Sequence, residues 1–85
     1  MKLMWQVYIL KCADGTFYTG ITADITKRVR DHNSSVLGAK YTRGRRPVKL
    51  ILVRRKKTRS SAAKKEWRIK KMTRLEKIKL IKIKK

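Results

Sequence analysis

The chain has little that could hold a soft metal ion or a disulfide bond. Its 85 residues include one cysteine and one histidine, Cys12 and His32. A single cysteine excludes an intrachain disulfide, and the two residues together cannot build a zinc site that needs several Cys or His ligands. Any metal ion bound by this chain must therefore be held by oxygen atoms.

Acidic residues are equally scarce. Five Asp and Glu stand against 26 Lys and Arg, which gives a formal net charge of +21 at pH 7. Such an excess repels itself unless a polyanion or salt neutralises it, so we expect a polyanionic partner. Residues 1–42 hold six basic and three acidic side chains, whereas residues 43–85 hold twenty and two. The first half is expected to carry the chemistry and the second half to bind the polyanion.

Long apolar runs are also lacking. No stretch approaches the roughly 18 residues of a membrane span, and the first residues do not form a secretory signal. We therefore expect a soluble, cytoplasmic protein, associated with the nucleoid if it is bacterial. The length suits one domain, residues 1–85, with a core over about 4–83. Apolar residues make up 41% of the chain and recur in ordered patterns, which predicts a folded protein.

The N-terminal part predicts a β-hairpin. Residues 5–12 and 16–21 are rich in β-branched and aromatic side chains, and Ala13-Asp14-Gly15 lies between them. Asp-Gly is a frequent turn sequence between such runs.

The length of the hairpin loop decides where two tyrosines point. A three-residue loop with Gly15 in the left-handed region sets Leu10 opposite Tyr18 and Tyr8 opposite Gly20. Both tyrosines then share one face, and Gly20 leaves space beside Tyr8. A two-residue loop would put the tyrosines on opposite faces.

A first helix is predicted after the hairpin, from about Ile25 to His32, with Asp24 as its cap. Ile25 and Val29 at i, i+4 would form its apolar contact. Arg28 and His32 have the same spacing, so they would lie side by side next to the buried stripe. Such a pair could hold a phosphate through a bidentate guanidinium and a hydrogen bond or proton transfer.

The middle of the chain predicts a basic loop and a covered strand. The loop begins near residue 33 and reaches Pro47, and we expect it to be mobile in the absence of a ligand. Residues 48–53 form a nearly continuous apolar run, as in a well-covered strand, and the basic residues 54–57 are expected to end it.

A second helix is predicted from the serines that follow. Ser60 or Ser61 can cap it, and Ala63, Trp67 and Met72 are its expected apolar positions.

A third helix is predicted to begin at a capping box. In Thr73-Arg74-Leu75-Glu76, the first and last side chains can each bind a backbone amide at the helix start. Residues 77–83 alternate enough between apolar and basic side chains to allow a strand instead.

A nuclease with this composition would need a hard cation such as Mg²⁺, which prefers carboxylate oxygen. Three of the five carboxylates have a structural role, since Asp14 lies in a turn, Asp24 at a helix cap and Glu76 in the capping box. Glu66 has no local structural role beyond an i, i+4 pair with a lysine. Elimination therefore favours Glu66 as the metal ligand, with Asp31 in reserve.

The order of these elements resembles a GIY-YIG nuclease domain. The sequence has Val7-Tyr8 on a strand, a hairpin turn, Tyr18-Thr19-Gly20, then Arg28, His32 and a later Glu66. The resemblance is closest to small stand-alone members, and it covers roughly residues 4–83. It includes the stretches Tyr8-Ile9-Leu10-Lys11-Cys12, Tyr18-Thr19-Gly20-Ile21-Thr22, Lys40-Tyr41-Thr42-Arg43-Gly44 and Trp67-Arg68-Ile69-Lys70.

The resemblance implies a fold and an activity. The implied fold is an α+β arrangement with a three-stranded antiparallel sheet flanked by helices. The implied activity is metal-dependent hydrolysis of phosphodiester bonds in DNA, as in repair or recombination, with one Mg²⁺ or Mn²⁺ ion. We expect weak sequence specificity, or selectivity for branched, nicked or single-stranded DNA, because the chain has no attached reading domain. RNA is a further candidate substrate, and the oligomeric state is left open.

The resemblance also implies a role for each site residue. Tyr8 would be the general base or its activator, and Tyr18 would position the phosphate. Arg28 would stabilise the pentacovalent phosphate and His32 would orient or relay a proton. Glu66 would bind the metal ion.

Basic residues are expected to track the nucleic-acid backbone, where contacts carry little base information. The predicted contact residues are Lys40, Tyr41, Thr42, Arg43, Arg45, Arg46, Arg54, Arg55, Lys56 and Lys70.

Two alternatives stay open. The first motif reads Gln6-Val7-Tyr8, without the family's glycine and isoleucine, and no Asn follows Glu66. A protein that binds DNA or RNA on this fold without cutting it is therefore the second hypothesis. A third is that the lysines are an adaptation to high temperature.

Overall fold

The computed structural model describes residues 4–34 and 38–83, and these residues form the predicted α+β fold. The strands make one antiparallel sheet in the order β2-β1-β3. The elements are β1 (Trp5–Lys11), β2 (Phe17–Thr22), α1 (Ile25–Ser34), α2 (Lys40–Arg43), β3 (Lys49–Lys56), α3 (Arg59–Lys70) and α4 (Arg74–Ile83). None of the helices in these ranges is long and apolar enough to cross a membrane.

The hairpin has the predicted register. Leu10 lies opposite Tyr18 and Tyr8 opposite Gly20, as a three-residue loop requires. Gly15 has φ +86°, in the left-handed region that glycine adopts without a steric cost. The two tyrosines therefore start from the same face of the sheet.

Helix α1 is fixed at its start by two side chains. The Asp24 carboxylate accepts a hydrogen bond from the Lys27 amide at 3.1 Å, which confirms the predicted cap. The Gln6 side chain of β1 accepts a second one from the Ile25 amide, also at 3.1 Å. Ile25 and Val29 pack on the sheet, as their spacing predicted.

The other end of α1 is tied to the start of β3. Both side-chain polar atoms of Asn33 bind the backbone of Val48: Oδ1 accepts from its amide at 2.7 Å and Nδ2 donates to its carbonyl at 3.2 Å. Gly38 then passes so close to α1 that a Cβ atom there would lie 2.7 Å from the Asp31 carbonyl oxygen. This close approach brings the following segment against the helix.

Two predictions for the middle of the chain were wrong. Part of the predicted basic loop is a short helix, α2, which packs beside α1. Strand β3 does not end at residue 53 but continues to Lys56, because Arg54, Arg55 and Lys56 pair with β1. Charged side chains are tolerated there because β3 is an edge strand.

The predicted cap of α3 was also wrong. The helix is capped by Thr58, whose side chain accepts a hydrogen bond from the Ser61 amide at 3.0 Å. Ser60 and Ser61 lie inside the first turn instead. The helix therefore begins two or three residues earlier than predicted.

The face of α3 that lies against the sheet also differs from the predicted one. Ala62 and Ile69, seven residues apart, are fully buried. Trp67, predicted as a core position, is 61% exposed, whereas Ala63 and Met72 are half-buried. Met72 lies beyond the end of the helix.

The capping box of α4 is confirmed, and the alternative strand is not formed. The Thr73 amide donates to Glu76 Oε1 at 2.8 Å, and the Glu76 amide donates to Thr73 Oγ1 at 3.2 Å. The helix turns the half-buried Leu80 and Ile81 toward the core. A favourable helix start thus outweighs the alternation that follows it.

The sheet has two different faces. On the apolar face, β1 and β3 pack against α3 through a cluster that contains Val7, Ile9, Leu52, Ala62 and Ile69. On the tyrosine face, helix α1 covers a cluster that contains Tyr8, Leu10, Cys12 and Val48.

Candidate active site

Tyr8 lies at the centre of the tyrosine face. Its side chain is 1% exposed and extends over Gly20 of the neighbouring strand. A Cβ atom at position 20 would lie 2.5 Å from the Tyr8 hydroxyl and 2.7 Å from Cζ. Glycine at this position is therefore what allows the phenol to cross β2.

The Tyr8 hydroxyl begins a chain of buried hydrogen bonds. It lies 2.9 Å from His32 Nε2, and His32 Nδ1 lies 2.8 Å from Thr42 Oγ1. Thr42 Oγ1 in turn donates to the Ala39 carbonyl at 2.9 Å. The side chains of His32 and Thr42 are fully buried. The chain thus connects β1, α1 and α2.

These contacts favour one arrangement of protons. The Ala39 carbonyl can only accept, so the Thr42 hydroxyl proton goes to it, and Thr42 Oγ1 then accepts a proton from His32 Nδ1. His32 Nε2 is left as the acceptor for the Tyr8 hydroxyl. The Ala39 amide, 3.4 Å from Nδ1, is the competing donor, but its contact is the longest in the group. The phenol is thereby aimed at a basic nitrogen.

His32 is neutral at pH 7. Burial is the largest cause that lowers its pKa from 6.5 to about 4, and the positive charges of Arg28 and Arg46 lower it further. The Asp31 carboxylate acts in the opposite direction. A neutral imidazole can accept a proton, which an imidazolium cannot.

Tyr8 is protonated. Burial raises its pKa from 10.0 to about 12, while a hydrogen bond from Arg28 lowers it. The neighbouring Tyr18 and Glu66 raise it. Burial thus outweighs the effect of the Arg28 cation, which favours the phenolate. Arg28, Tyr18 and Glu66 are thus the ionisable groups whose charges act on this phenol.

Tyr18 lies in a stack of rings that reaches the surface. Its ring centroid is 5.1 Å from that of His32, 6.3 Å from that of Tyr8 and 5.8 Å from that of Tyr41. Tyr41 is 38% exposed and carries the Arg45 guanidinium 4.0 Å from its centroid. The stack thus leads from the buried His32 ring to the exposed Tyr41 ring.

Glu66 is half-buried on α3. One carboxylate oxygen lies 3.2 Å from Lys70 Nζ, the i, i+4 pair that the sequence predicted. Its side chain is 23% exposed and that of Lys70 is 54% exposed, so the lysine can swing away. A pair this exposed contributes little to stability, typically below about 1 kcal/mol.

The other carboxylates are engaged elsewhere. Asp14 accepts from the Thr16 amide and hydroxyl and pairs with Arg45 at 3.0 Å. Asp31, the reserve candidate, pairs with Lys27 at 2.9 Å, and this partner holds its pKa below the ordinary value. Asp24 and Glu76 cap the helices α1 and α4.

The donor set allows one kind of metal site. Among residues 4–34 and 38–83, no group of three or more His, Cys, Asp and Glu side chains could enclose a metal ion. Mg²⁺ can bind through one or two carboxylates, with water and substrate phosphate as its remaining ligands. Glu66, a half-buried carboxylate whose charge acts on the phenol of Tyr8, fits that pattern.

Three of the predicted nucleic-acid contacts bind groups within the fold, and one of them, Thr42, is buried. Thr42 is fully buried behind His32 and cannot reach a ligand. Arg46 donates to the carbonyls of His32 and Asp31 near the end of α1. Arg45 binds Asp14 and the Tyr41 carbonyl.

The remaining predicted contacts divide between the two faces of the sheet. Arg55 lies opposite Gln6 and therefore shares the tyrosine face, whereas Arg54 and Lys56 alternate to the apolar face. The exposed members of the predicted set are Lys40, Tyr41, Arg43, Arg55 and Lys70.

Sequence reasoning missed three residues that place the site. Gln6 and Asn33 fix the two ends of α1, which carries Arg28 and His32. Gly38 allows the segment that carries Thr42 to approach that helix. The sequence offered a signal only for Gly38, a glycine just before a short polar segment. It offered none for Gln6 and Asn33, because their hydrogen-bond partners are distant in sequence.

The fold agrees with comparison to known proteins. The family model of the GIY-YIG catalytic domain matches residues 4–79. The chain therefore belongs to the GIY-YIG domain family.

Its similar relatives are small proteins named UPF0213. The chain is 51% identical over 78 residues to the one of Desulfotalea psychrophila, which covers 92% of this chain and 71% of that protein. It is 54% identical over 76 residues to the one of Syntrophus aciditrophicus, covering 89% and 87%.

Two solution NMR structures are similar to this fold. One is of a UPF0213 protein from Bacillus halodurans, with a TM-score of 0.63 and 39% identity. The other is of a protein from E. faecalis, with a TM-score of 0.65 and 42% identity. Each match covers 96% of this chain and 86% of the other.

Proposed function

We propose that the protein is a metal-dependent endonuclease that hydrolyses phosphodiester bonds in DNA with low sequence specificity. The observation that carries the proposal is the buried Tyr8–His32 hydrogen bond of 2.9 Å, with Arg28, Tyr18 and Glu66 near the same phenol. A structural tyrosine needs no such surroundings. The membership in the GIY-YIG family supports the same reaction class.

Arg28, Tyr18 and a cation at Glu66 hold the phosphate in this proposal. Arg28 donates to the nonbridging oxygens and stabilises the negative charge that grows on them in the transition state. The Tyr18 hydroxyl orients the phosphate from the ring stack. Glu66 would hold one divalent cation, which would supply charge to polarise the phosphate and stabilise the leaving oxygen.

The proton follows the buried chain. Tyr8 accepts a proton from the attacking water and passes its own proton to His32 Nε2. The water oxygen bonds to phosphorus, and the P–O bond to the leaving oxygen breaks. Binding of a phosphate neutralises Arg28, one of the charges that lower the His32 pKa, so His32 becomes a stronger base when substrate is present. Thr42 keeps the imidazole in the tautomer that this transfer needs.

A second function is supported by two other observations. The chain has a net charge of +21, and Glu66 is paired with Lys70 at 3.2 Å. Both suit a protein that binds DNA or structured RNA without cutting it. In that case the basic residues provide affinity and the polar network only stabilises the fold.

Cleavage of labelled duplex, branched and single-stranded DNA, with and without Mg²⁺, separates the two functions. We expect the wild type to cut in the presence of Mg²⁺ and Glu66→Ala to lose cleavage by at least about a hundredfold, because electrostatic stabilisation at the phosphate is lost. Binding of the same DNA should persist in Glu66→Ala.

Glu76→Ala is the matched control. This substitution removes a carboxylate from a helix and should lower stability by about 1 kcal/mol, the usual cost of losing a cap. The Glu76→Ala protein should still cleave DNA. Equal cleavage by the wild type and Glu66→Ala would reject Glu66 as the metal ligand. Absence of cleavage by the wild type on all three substrates would favour the binding protein.

A further inference from the structure

An exposed tryptophan lies on α3 next to the candidate metal ligand. The side chain of Trp67 is 61% exposed, although tryptophan is among the residues that lose most from contact with water. It borders an open depression of about 420 Å³ that is also lined by Ser60, Ala63, Lys64 and Arg68. The proposed hydrolysis makes no use of this surface.

The tryptophan is surrounded by cations. Lys71 Nζ lies 4.4 Å from the centroid of its ring, and Lys64 and Arg68 are exposed beside it. The surface thus combines a flat aromatic group with three positive charges. This combination suits a strand of nucleic acid, whose bases stack on aromatic rings while its phosphates contact Lys and Arg.

The surface continues to Glu66. Successive residues of an α-helix are offset by about 100°, so Glu66 and Trp67 point in different directions. Lys70, three residues after Trp67 and four after Glu66, lies between them and is ion-paired with Glu66. A strand that leaves a phosphate at Glu66 can therefore pass over Lys70 to reach Trp67.

A second copy of the chain is a poor occupant. Each copy has a net charge of +21, and the charges beside Trp67 are positive, so two such surfaces repel each other. A polyanion gains from the same charges. A paired duplex offers phosphates but keeps its bases stacked inside, whereas an unpaired strand offers both.

We propose that Trp67, with Lys64, Arg68 and Lys71, binds an unpaired base and its flanking phosphates in a single-stranded segment of nucleic acid. One part of this proposal, that the bound strand continues to the cleavage site, rests on the proposed function. Binding itself requires neither the metal ion nor hydrolysis. The substrate class that follows is DNA with an unpaired region, such as a flap, a junction or a single strand.

Binding of labelled oligothymidylate, measured by fluorescence anisotropy in a metal-free buffer, tests the proposal. Trp67→Ala should weaken binding by about tenfold, the size of one lost stacking contact, whereas a duplex of equal length should lose less than about twofold. Trp67→Phe keeps a ring and should retain most of the affinity. Leu75→Ala is the matched control, because Leu75 is 62% exposed on α4, and it should change neither affinity.

A second measurement uses the tryptophan itself. In a Trp5→Phe background, Trp67 is the one remaining tryptophan, and its fluorescence should be quenched by oligothymidylate. Unchanged affinity of Trp67→Ala, or an equal loss for single strand and duplex, would overturn the proposal. Self-association of the wild type that Trp67→Ala abolishes would also overturn it, in favour of a second copy. If the wild type bound single strands through Trp67 but cut no DNA in the presence of Mg²⁺, the hydrolytic function would fail while this result stood.

Discussion

The two faces of the sheet differ in what they bury. The apolar face holds a cluster of aliphatic side chains from β1, β3 and α3, including Val7, Ile9 and Ile69. The tyrosine face buries a phenol, an imidazole and a hydroxyl in one hydrogen-bonded chain, Tyr8 to His32 to Thr42. Burial of apolar groups is the main source of stability, whereas a satisfied buried hydrogen bond contributes only about 1 kcal/mol net. The aliphatic core and the buried hydrogen-bonded chain thus lie on opposite sides of one three-stranded sheet.

The division predicts unequal effects on stability. Ile69→Ala on the apolar face should lower the free energy of unfolding by about 2–5 kcal/mol, since it leaves a cavity in a fully buried site. Tyr8→Phe on the tyrosine face removes one hydrogen bond and leaves His32 Nε2 without its donor, at about 1–3 kcal/mol. Urea unfolding at pH 7 measures both.

Cleavage should respond in the reverse order. The Ile69→Ala protein should keep most of its cleavage activity under conditions where it is folded. The Tyr8→Phe protein should lose its cleavage activity. The division between faces would be wrong if Ile69→Ala were the milder change in stability, or if Tyr8→Phe cleaved DNA at the wild-type rate.

The second prediction concerns the pH dependence of stability. The pKa of His32 is lowered from 6.5 in the unfolded chain to about 4 in the fold. The unfolded chain therefore binds more protons between these values, and the folded state loses stability as the pH falls from about 6.5 to 4. The loss should be about 3 kcal/mol, and it is absent above pH 6.5. Urea unfolding across this range measures it.

His32→Gln is the control for that titration. It removes the imidazole, so the slope between pH 6.5 and 4 should largely disappear. The lowered pKa values of Asp14 and Asp31 act mainly below their ordinary value of 3.8 and should remain visible in both proteins. A wild type with flat stability between pH 6.5 and 4 would contradict a buried neutral His32.

Local signals were sufficient to predict part of the fold. The hairpin register, the Asp24 cap and the Thr73–Glu76 capping box each depend on residues a few positions apart. The same holds for the Arg28 and His32 spacing on α1. Their physical causes lie within one turn or one loop, so the sequence reveals them directly.

The failed predictions depend on contacts between distant elements. Trp67 was expected in the core because its spacing suits a helix face, but α3 packs on the sheet through Ala62 and Ile69 instead. Thr42 was expected to contact nucleic acid, and it is buried because Gly38 lets its segment meet α1. Neither fact can be read from the neighbouring residues.

The most direct test is the protonation state of the single histidine, His32, followed by ¹⁵N NMR of the imidazole as the pH is lowered. We predict a neutral ring at pH 7 that carries its proton on Nδ1, with Nε2 as acceptor for Tyr8, and a titration near pH 4. Substrate-like phosphate should raise that pKa. A ring that titrates near 6.5, or one that carries its proton on Nε2, would contradict the proposed path of the proton.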